Sequence, residues 1–149
     1  MEVRFDFDPS PQNLWYLKLP HWIMCSSSNP GPIMVTRTVQ QYARSGVAGF
    51  HIEDQVQTKR CGHLQGKQLV DTPTFISRIR AAKAACDSID SGIVIIARTD
   101  ALQSFGYKES IQRPKAAHEA GADAAFLEGI TLKDEARAVQ ETWHLVQSS

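Results

Sequence analysis

Residues 58–67 read TKRCGHLQGK, a stretch that packs a cysteine, a histidine, three cationic side chains and two glycines into ten positions. Almost nothing in it suits a hydrophobic core, so Cys61 is an idle thiol, a metal ligand or a reactive group. Idle burial is the commoner fate of a cysteine. Here Lys59, Arg60 and His63 supply positive charge that lowers a thiol pKa and fits it for nucleophilic or proton-transfer chemistry near neutral pH. Zinc fits poorly, because Cys61 and His63 stand only two apart and no second Cys/His pair follows. Gly62 lets the backbone approach a ligand closely, which suits its N–H to a carboxylate.

Three further groups of charge each close an apolar run: Glu53-Asp54 after VAGFHI, Arg98-Thr99-Asp100 after GIVIIA, and Glu128 after AAFL. Glu53 and Asp54 suit a hard divalent cation such as Mg²⁺, which takes one or two protein carboxylates and keeps waters; an ion pair with Arg98 is the competing use. Arg98 has the planar fork that recognises a carboxylate in bidentate fashion. Glu128 either positions a substrate or pairs with a lysine. His51 lies inside an apolar run and is expected to have a core or supporting role. His118 and His144 fall on helical stretches and are expected to face solvent.

The elements that must position these groups follow from periodicity. IMVTRTVQQYARSG places Ile33, Val35, Val39, Tyr42 and Ala43 near one helical face and ends at Gly46, the usual left-handed stop. DTPTFISRIRAAKAAC opens with Asp71 or Thr72 as N-cap and Pro73 in the first turn, and Phe75, Ile79, Ala82 and Cys86 form a helical stripe. YKESIQRPKAAHEAG reads as a helix ending at Gly121 with Pro114 awkwardly inside it, and TLKDEARAVQETWHLV as another capped by Thr131. VAGFHIED, GIVIIARTD and AAFLEG read as short buried strands. The order α-β-α-β-α-β-α implies parallel strands joined by right-handed crossovers. Gly46 precedes Glu53, and Gly121 precedes Glu128, by the same seven residues (53 − 46 = 128 − 121), an internal echo of βα units. Parallel strands bury charge only at cost. The three charged groups therefore belong at the C-terminal rim, where α/β folds build their sites.

The composition excludes several classes. Sixteen basic and sixteen acidic side chains cancel, so no basic stripe speaks for nucleic acid or a membrane surface. Three cysteines at wide spacings argue against a disulfide framework and for a reducing interior. No apolar run approaches the roughly 18 residues of a membrane span. The first ten residues, MEVRFDFDPS, resemble neither a signal peptide nor a transit peptide, so a cytoplasmic location is expected, with a mitochondrial one as the alternative. Residues 1–30 are read as an irregular segment with one short apolar strand near Leu14–Leu19, and residues 31–149 as the domain.

The motif KRCGHL (59–64) resembles the signature of the isocitrate lyase/phosphoenolpyruvate mutase superfamily. The resemblance extends through GPIMVTRTVQQYARSGVAGFHIEDQ, GKQLVD, IIARTDA and AGADAAFLEG, roughly residues 31–145, in the family's order. The carbon–carbon lyase branch (methylisocitrate lyase, dimethylmalate lyase, oxaloacetate acetylhydrolase) fits better than the phosphonomutase branch, whose members generally lack the Cys-Gly-His loop. The resemblance implies a (β/α)₈ barrel, a homo-oligomer and Mg²⁺-assisted cleavage (Mn²⁺ being the alternative ion) of a small 2-hydroxy or 2-oxo dicarboxylate through an enolate. It makes Cys61 the catalytic acid or base. Gly62, His63, Arg98 and Glu128 become substrate-binding residues, and Glu53 a metal carboxylate.

Two departures shape what is expected. The family carries an Asp-x-Asp-Thr-Gly-Tyr-Gly segment before Gly-Pro-Ile-Met, whereas the seven residues before Gly31 here are MCSSSNP, without a carboxylate; cation binding is therefore expected to be weakened. Counted against eight βα units, the chain is expected to be a partial barrel lacking the first strands and the last three units. The leading expectation is a shortened carbon–carbon lyase. Its rivals are a non-catalytic remnant that associates with another barrel chain, and an unrelated doubly wound α/β binding domain. Against the last stands the absence of a Gly-rich phosphate loop after any strand.

Overall fold

The structure, a computed structural model, describes residues 22–23, 31–56 and 68–130. It has the order β1 (Trp22–Ile23), α1 (Pro32–Arg44), β2 (Gly49–Glu53), α2 (Thr72–Ser88), β3 (Val94–Thr99), α3 (Ala101–Glu119) and β4 (Ala124–Leu127). The four strands form one sheet in sequence order, and every neighbouring pair is parallel. This is the topology of a partial (β/α)₈ barrel, and the three longer strands stand where their apolar runs place them. The strand β1 was not legible in the sequence: two residues, Trp22 and Ile23, pair with Gly49 and Phe50. Leu14–Leu19, and the helix expected from Thr131 onward, lie outside the described residues.

Local chemistry explains the elements. Pro32 starts α1 just after Gly31, where a missing N–H costs nothing, and Gly46 at φ +71° ends it. Asp71 is the N-cap of α2, its Oδ1 accepting from the Thr74 N–H at 3.0 Å, which settles the choice between Asp71 and Thr72. Two helical pieces make up α3, joined at Gly106, whose φ of +79° breaks the helical path after Phe105. The second piece starts at Tyr107 as the sequence suggests, and it runs through Pro114 with no further break.

The pleat gives the sheet two different faces. Phe50 and Ile52 from β2 and Ile95 and Ala97 from β3 turn toward the helices, where they join Val35, Val39, Phe75, Ile79, Ala82 and Cys86 in a single core. Cys86 is thus in the core, as its stripe implies. Ile33, expected on the packed face of α1, is instead 78% exposed, because it sits in the first turn ahead of the sheet's reach. The opposite, inner face carries His51, Ile96 and Phe126 in half-buried or exposed positions.

This asymmetry is measurable. Ile52→Ala, which empties a fully packed position, should cost about 2–5 kcal/mol, and Ile96→Ala on the inner face less than half as much. Urea unfolding of the two variants beside the parent checks the order.

Candidate functional site

The C-terminal ends of β2, β3 and β4 bring Glu53, Arg98 and Glu128 together. Register places Glu53 opposite Arg98, and Arg98 opposite Phe126, so all three point to the inner face, with Glu128 following at the exit of β4. The Glu128 N–H donates to the Thr99 carbonyl at 3.0 Å, which holds that exit against the rim. The Arg98 guanidinium faces three carboxylates: its Nε is 3.7 Å from Glu53 Oε2, and its Nη2 is 3.6 Å from Asp100 Oδ1 and 3.3 Å from Glu128 Oε2. Its carbon stands 5.6 Å over the Phe126 ring, a cation–π contact that fixes the plane of the fork. Arg98 is almost buried, and its Nε has no hydrogen-bond acceptor in reach. Arg98 is thus one cation among three carboxylates, its planar fork of the kind that recognises carboxylate groups.

Asp54 does something else. One position along the pleat, it turns to the helix side and is fully buried. Its Oδ2 accepts from Thr99 Oγ1 at 2.6 Å and Arg113 Nη1 at 3.0 Å, and its Oδ1 accepts from the Asp100 N–H at 3.0 Å. The ion pair expected between Asp54 and Arg98 is therefore replaced by one with Arg113. Arg113 is the residue sequence reading missed, together with Arg78, whose Nη1 donates to the Glu53 and Gln55 carbonyls at 3.3 and 3.2 Å. The available signal was an arginine on the apolar face of each helical pattern, which only a buried acceptor explains. Gln55 completes the set, Nε2 donating to Asp100 Oδ2 at 2.8 Å.

His51 stands one layer below Glu53 on the inner face, edge-on to the Phe126 ring with centroids 5.8 Å apart. Its Nδ1 is buried with no hydrogen-bond partner. Burial first, and the Arg98 charge second, hold its pKa below the ordinary value, with Glu53 opposing. The neutral ring has a supporting place beneath the rim. His118, expected to face solvent, is half-buried, and its Nδ1 lies 3.0 Å from the Ala122 carbonyl at the end of α3. Cys61, Gly62, His63 and His144 lie outside the described residues. The chain between 57 and 67 departs from Val56 and returns at Gln68, both beside the rim.

As a cation site, the rim offers oxygen donors only, three carboxylates against one guanidinium. That is the donor chemistry of Mg²⁺, which needs one or two protein carboxylates and takes the rest from water and substrate. Among the described residues no three His, Cys, Asp or Glu side chains are spaced to hold a metal by themselves. Glu53, Asp100 and Glu128 are the carboxylates this rim presents. No helix among the described residues is long and apolar enough to cross a membrane.

A parallel α/β sheet with carboxylates and an arginine gathered at its C-terminal rim has the architecture of a barrel-type site. Comparison with known proteins places it more closely. Residues 30–147 match the family model described as phosphoenolpyruvate phosphomutase, and the chain belongs to the phosphoenolpyruvate mutase/isocitrate lyase superfamily. It is 40% identical over 120 residues to 2-methylisocitrate lyase of Shewanella oneidensis, covering 80% of this chain and 40% of that one. A crystal structure of 2,3-dimethylmalate lyase superposes with a TM-score of 0.73 at 66% identity, covering 74% of this chain and 37% of the other. Oxaloacetate acetylhydrolase in complex with 3,3-difluorooxalacetate gives 0.75 at 54%, covering 77% and 39%. Phosphonopyruvate hydrolase, solved with oxalate and Mg²⁺, gives 0.64 at 32%, covering 76% and 38%. The chain spans about two fifths of the length of the curated relative and of these solved chains.

The depressed His51 pKa sets a pH dependence. The unfolded chain takes up a proton near pH 6.5, and the folded chain does so only at lower pH, so His51 contributes stability that is complete above about 6.5 and is lost as pH falls below it. Thermal midpoints of the parent minus those of His51→Phe should be level from pH 7 to 8 and fall between pH 6.5 and 5.

Proposed function

We propose that this chain carries part of the active site of a carbon–carbon lyase, or a C–C hydrolase, acting on a small 2-hydroxy or 2-oxo dicarboxylate. The observation that supports this reading is the meeting of Glu53, Arg98 and Glu128 at one rim, directly where the Cys61 segment leaves β2. Arg98 takes one substrate carboxylate through the N–H groups of its fork. Glu128 and Glu53 orient that fork, and Glu128 also lies close enough to contact the substrate beside it. Gly62 and His63 take the second carboxylate. The substrate hydroxyl (for a 2-oxo acid, a hydroxyl of the hydrated ketone) gives up its proton to solvent as its oxygen becomes the carbonyl or carboxyl of one fragment. The pair of the scissile carbon–carbon bond passes into the other fragment as an enolate, and the Cys61 thiol delivers the proton that completes that carbon. In the synthetic direction the thiolate removes the same proton. When bound, Mg²⁺ supplies Lewis-acid stabilisation of the negative charge that develops on substrate oxygen; Glu53 is its protein carboxylate.

Thiol chemistry tests this reading directly. Cys86 is in the core, and burial above all pushes its thiol pKa up, so it should react slowly with iodoacetamide. Peptide-resolved labelling should modify Cys61 at least about tenfold faster, and oxalate or a 2-hydroxydicarboxylate should slow that reaction while leaving Cys86 unchanged. Equal rates at Cys61 and Cys86 with no protection would remove the catalytic role.

The carboxylate-free MCSSSNP segment before Gly31 adds a second expectation. Losing two charged ligands of a hard-cation site costs several kcal/mol, and about 4 kcal/mol corresponds to about a thousandfold in affinity. Calorimetric titration should show Mg²⁺ binding no tighter than about millimolar. Micromolar binding would mean that other carboxylates have taken over.

A second reading draws on the inner face. Phe126, on the edge strand β4, is 42% exposed, and Ile96 and His51 beside it are only half-buried. A chain that pairs with another barrel chain, or with a second copy of itself, covers that face without any catalysis of its own. Sedimentation equilibrium separates the cases, since this reading requires a defined oligomer or a stable heteromer.

A further inference from the structure

Beyond Asp54 the chain makes an excursion of eleven residues, 57–67, and its two ends are joined. Gln55 and Leu69 form an antiparallel bridge; the Val56 N–H donates to the Gln68 carbonyl at 2.9 Å, and the Val70 N–H to the Asp54 carbonyl at 2.8 Å. Two ladder bonds near the surface are a weak closure by themselves, since isolated two-stranded pairing is marginal in water. What distinguishes this neck is the guanidinium beneath it. Arg113, 3% exposed, donates from one nitrogen, Nη1, to the Val70 carbonyl at 2.9 Å and to Asp54 Oδ2 at 3.0 Å. One group thus holds both the departing and the returning strand. Its Nε donates to Glu109 Oε1 at 3.2 Å, Glu109 is in turn held by the Thr72 hydroxyl, and the Phe105 ring covers the fork at 5.1 Å.

We infer that Arg113 is a positioning residue that clamps the two ends of the 57–67 excursion to the rim and so sets where Cys61 is delivered. The clamp itself is read from described residues. Only its consequence at Cys61 rests on the lyase reading above. Both strand contacts come from Nη1, and the Nε bond to Glu109 with the Phe105 ring over the planar group holds that nitrogen in place; Lys keeps a positive charge for Asp54 but loses both supports and carries its ammonium on a flexible stem. Arg78 works alongside, fixing the departing strand through the Glu53 and Gln55 carbonyls, but it makes no contact with the returning one among the bonds it donates. The burden of joining the ends therefore falls on Arg113.

The test is residue-resolved hydrogen exchange on the full chain, with Arg113→Lys as the main variant. Glu109→Gln is the milder one: its side chain is 34% exposed, and the change weakens only the bonds that Oε1 accepts from Arg113 Nε and the Thr72 hydroxyl. Exchange at the Val56 and Val70 amides should rise about tenfold in Arg113→Lys and by a smaller factor in Glu109→Gln, with Ile95, Ile96 and Ala97 in β3 unchanged. Iodoacetamide labelling of Cys61 should shift in the same order, with Cys86 unaffected. Unchanged neck amides in both variants overturn the inference, and so does uniform acceleration across neck and β3, which would make Arg113 a general stability group. Selective acceleration at the neck with no dicarboxylate protection of Cys61 leaves the clamp standing and removes the lyase reading instead.

Discussion

The buried carboxylate of Asp54 is the constraint on which the rest of the rim depends. A charge with no exposure to water is costly unless every lone pair is answered, and here a hydroxyl from β3, a backbone N–H at the start of α3 and a guanidinium from further along α3 answer it. The ends of two strands, the helix that follows the second and the returning neck segment are thereby held to one point. Loss of a partner from such a pair costs about 3–5 kcal/mol in general, a large share of the stability of any domain of this size. Commitment to this network takes Asp54 out of the chemistry. On the proposed reading, substrate and cation are met by groups on the other face.

The pleat performs that division of labour. Adjacent residues in β2 and β3 point to opposite faces, so Glu53 and Arg98 turn inward while Asp54 and Thr99 turn toward the helices. Four polar residues that look alike in sequence thus form two separate sets, one that holds the rim together and one available to a ligand. A one-residue slip of β2 against β3 would exchange the sets and place Phe50 and Ile52 on the inner face, so the apolar core facing α1 and α2 also secures the polar arrangement above it.

This explains which features were legible beforehand. The three longer strands, the start of α2 at Asp71 and Pro73 and the rim position of Glu53, Arg98 and Glu128 follow from local pattern, because periodicity, capping and the cost of buried charge are all local. Arg113, at 59 residues from Asp54, was not legible, since a buried ion pair across that separation leaves no periodic trace. Nor was β1: two residues have no period, and only pairing with Gly49 and Phe50 makes them a strand. Ile33 misled for the opposite reason, matching the apolar stripe of α1 in its first turn while standing 78% exposed.

The electrostatics of the inner rim bear on what can bind there. Glu53, Asp100 and Glu128 surround a single guanidinium at 3.3–3.7 Å, an excess of negative charge in a partly desolvated place where Coulomb interactions are weakly screened. Such a rim by itself repels a dicarboxylate. The proposed substrate class therefore requires further positive charge from beyond the three strand ends. The chain holds it in Lys59, Arg60, His63 and Lys67, all within the segment whose ends are tied at the neck. On the proposed reading a divalent cation beside Glu53 would supply the rest. The acidic rim and the basic residues of 57–67 would then be two halves of one balance: the rim would attract the cation, and the basic residues with the cation would make a dianion welcome where the strand ends alone exclude it.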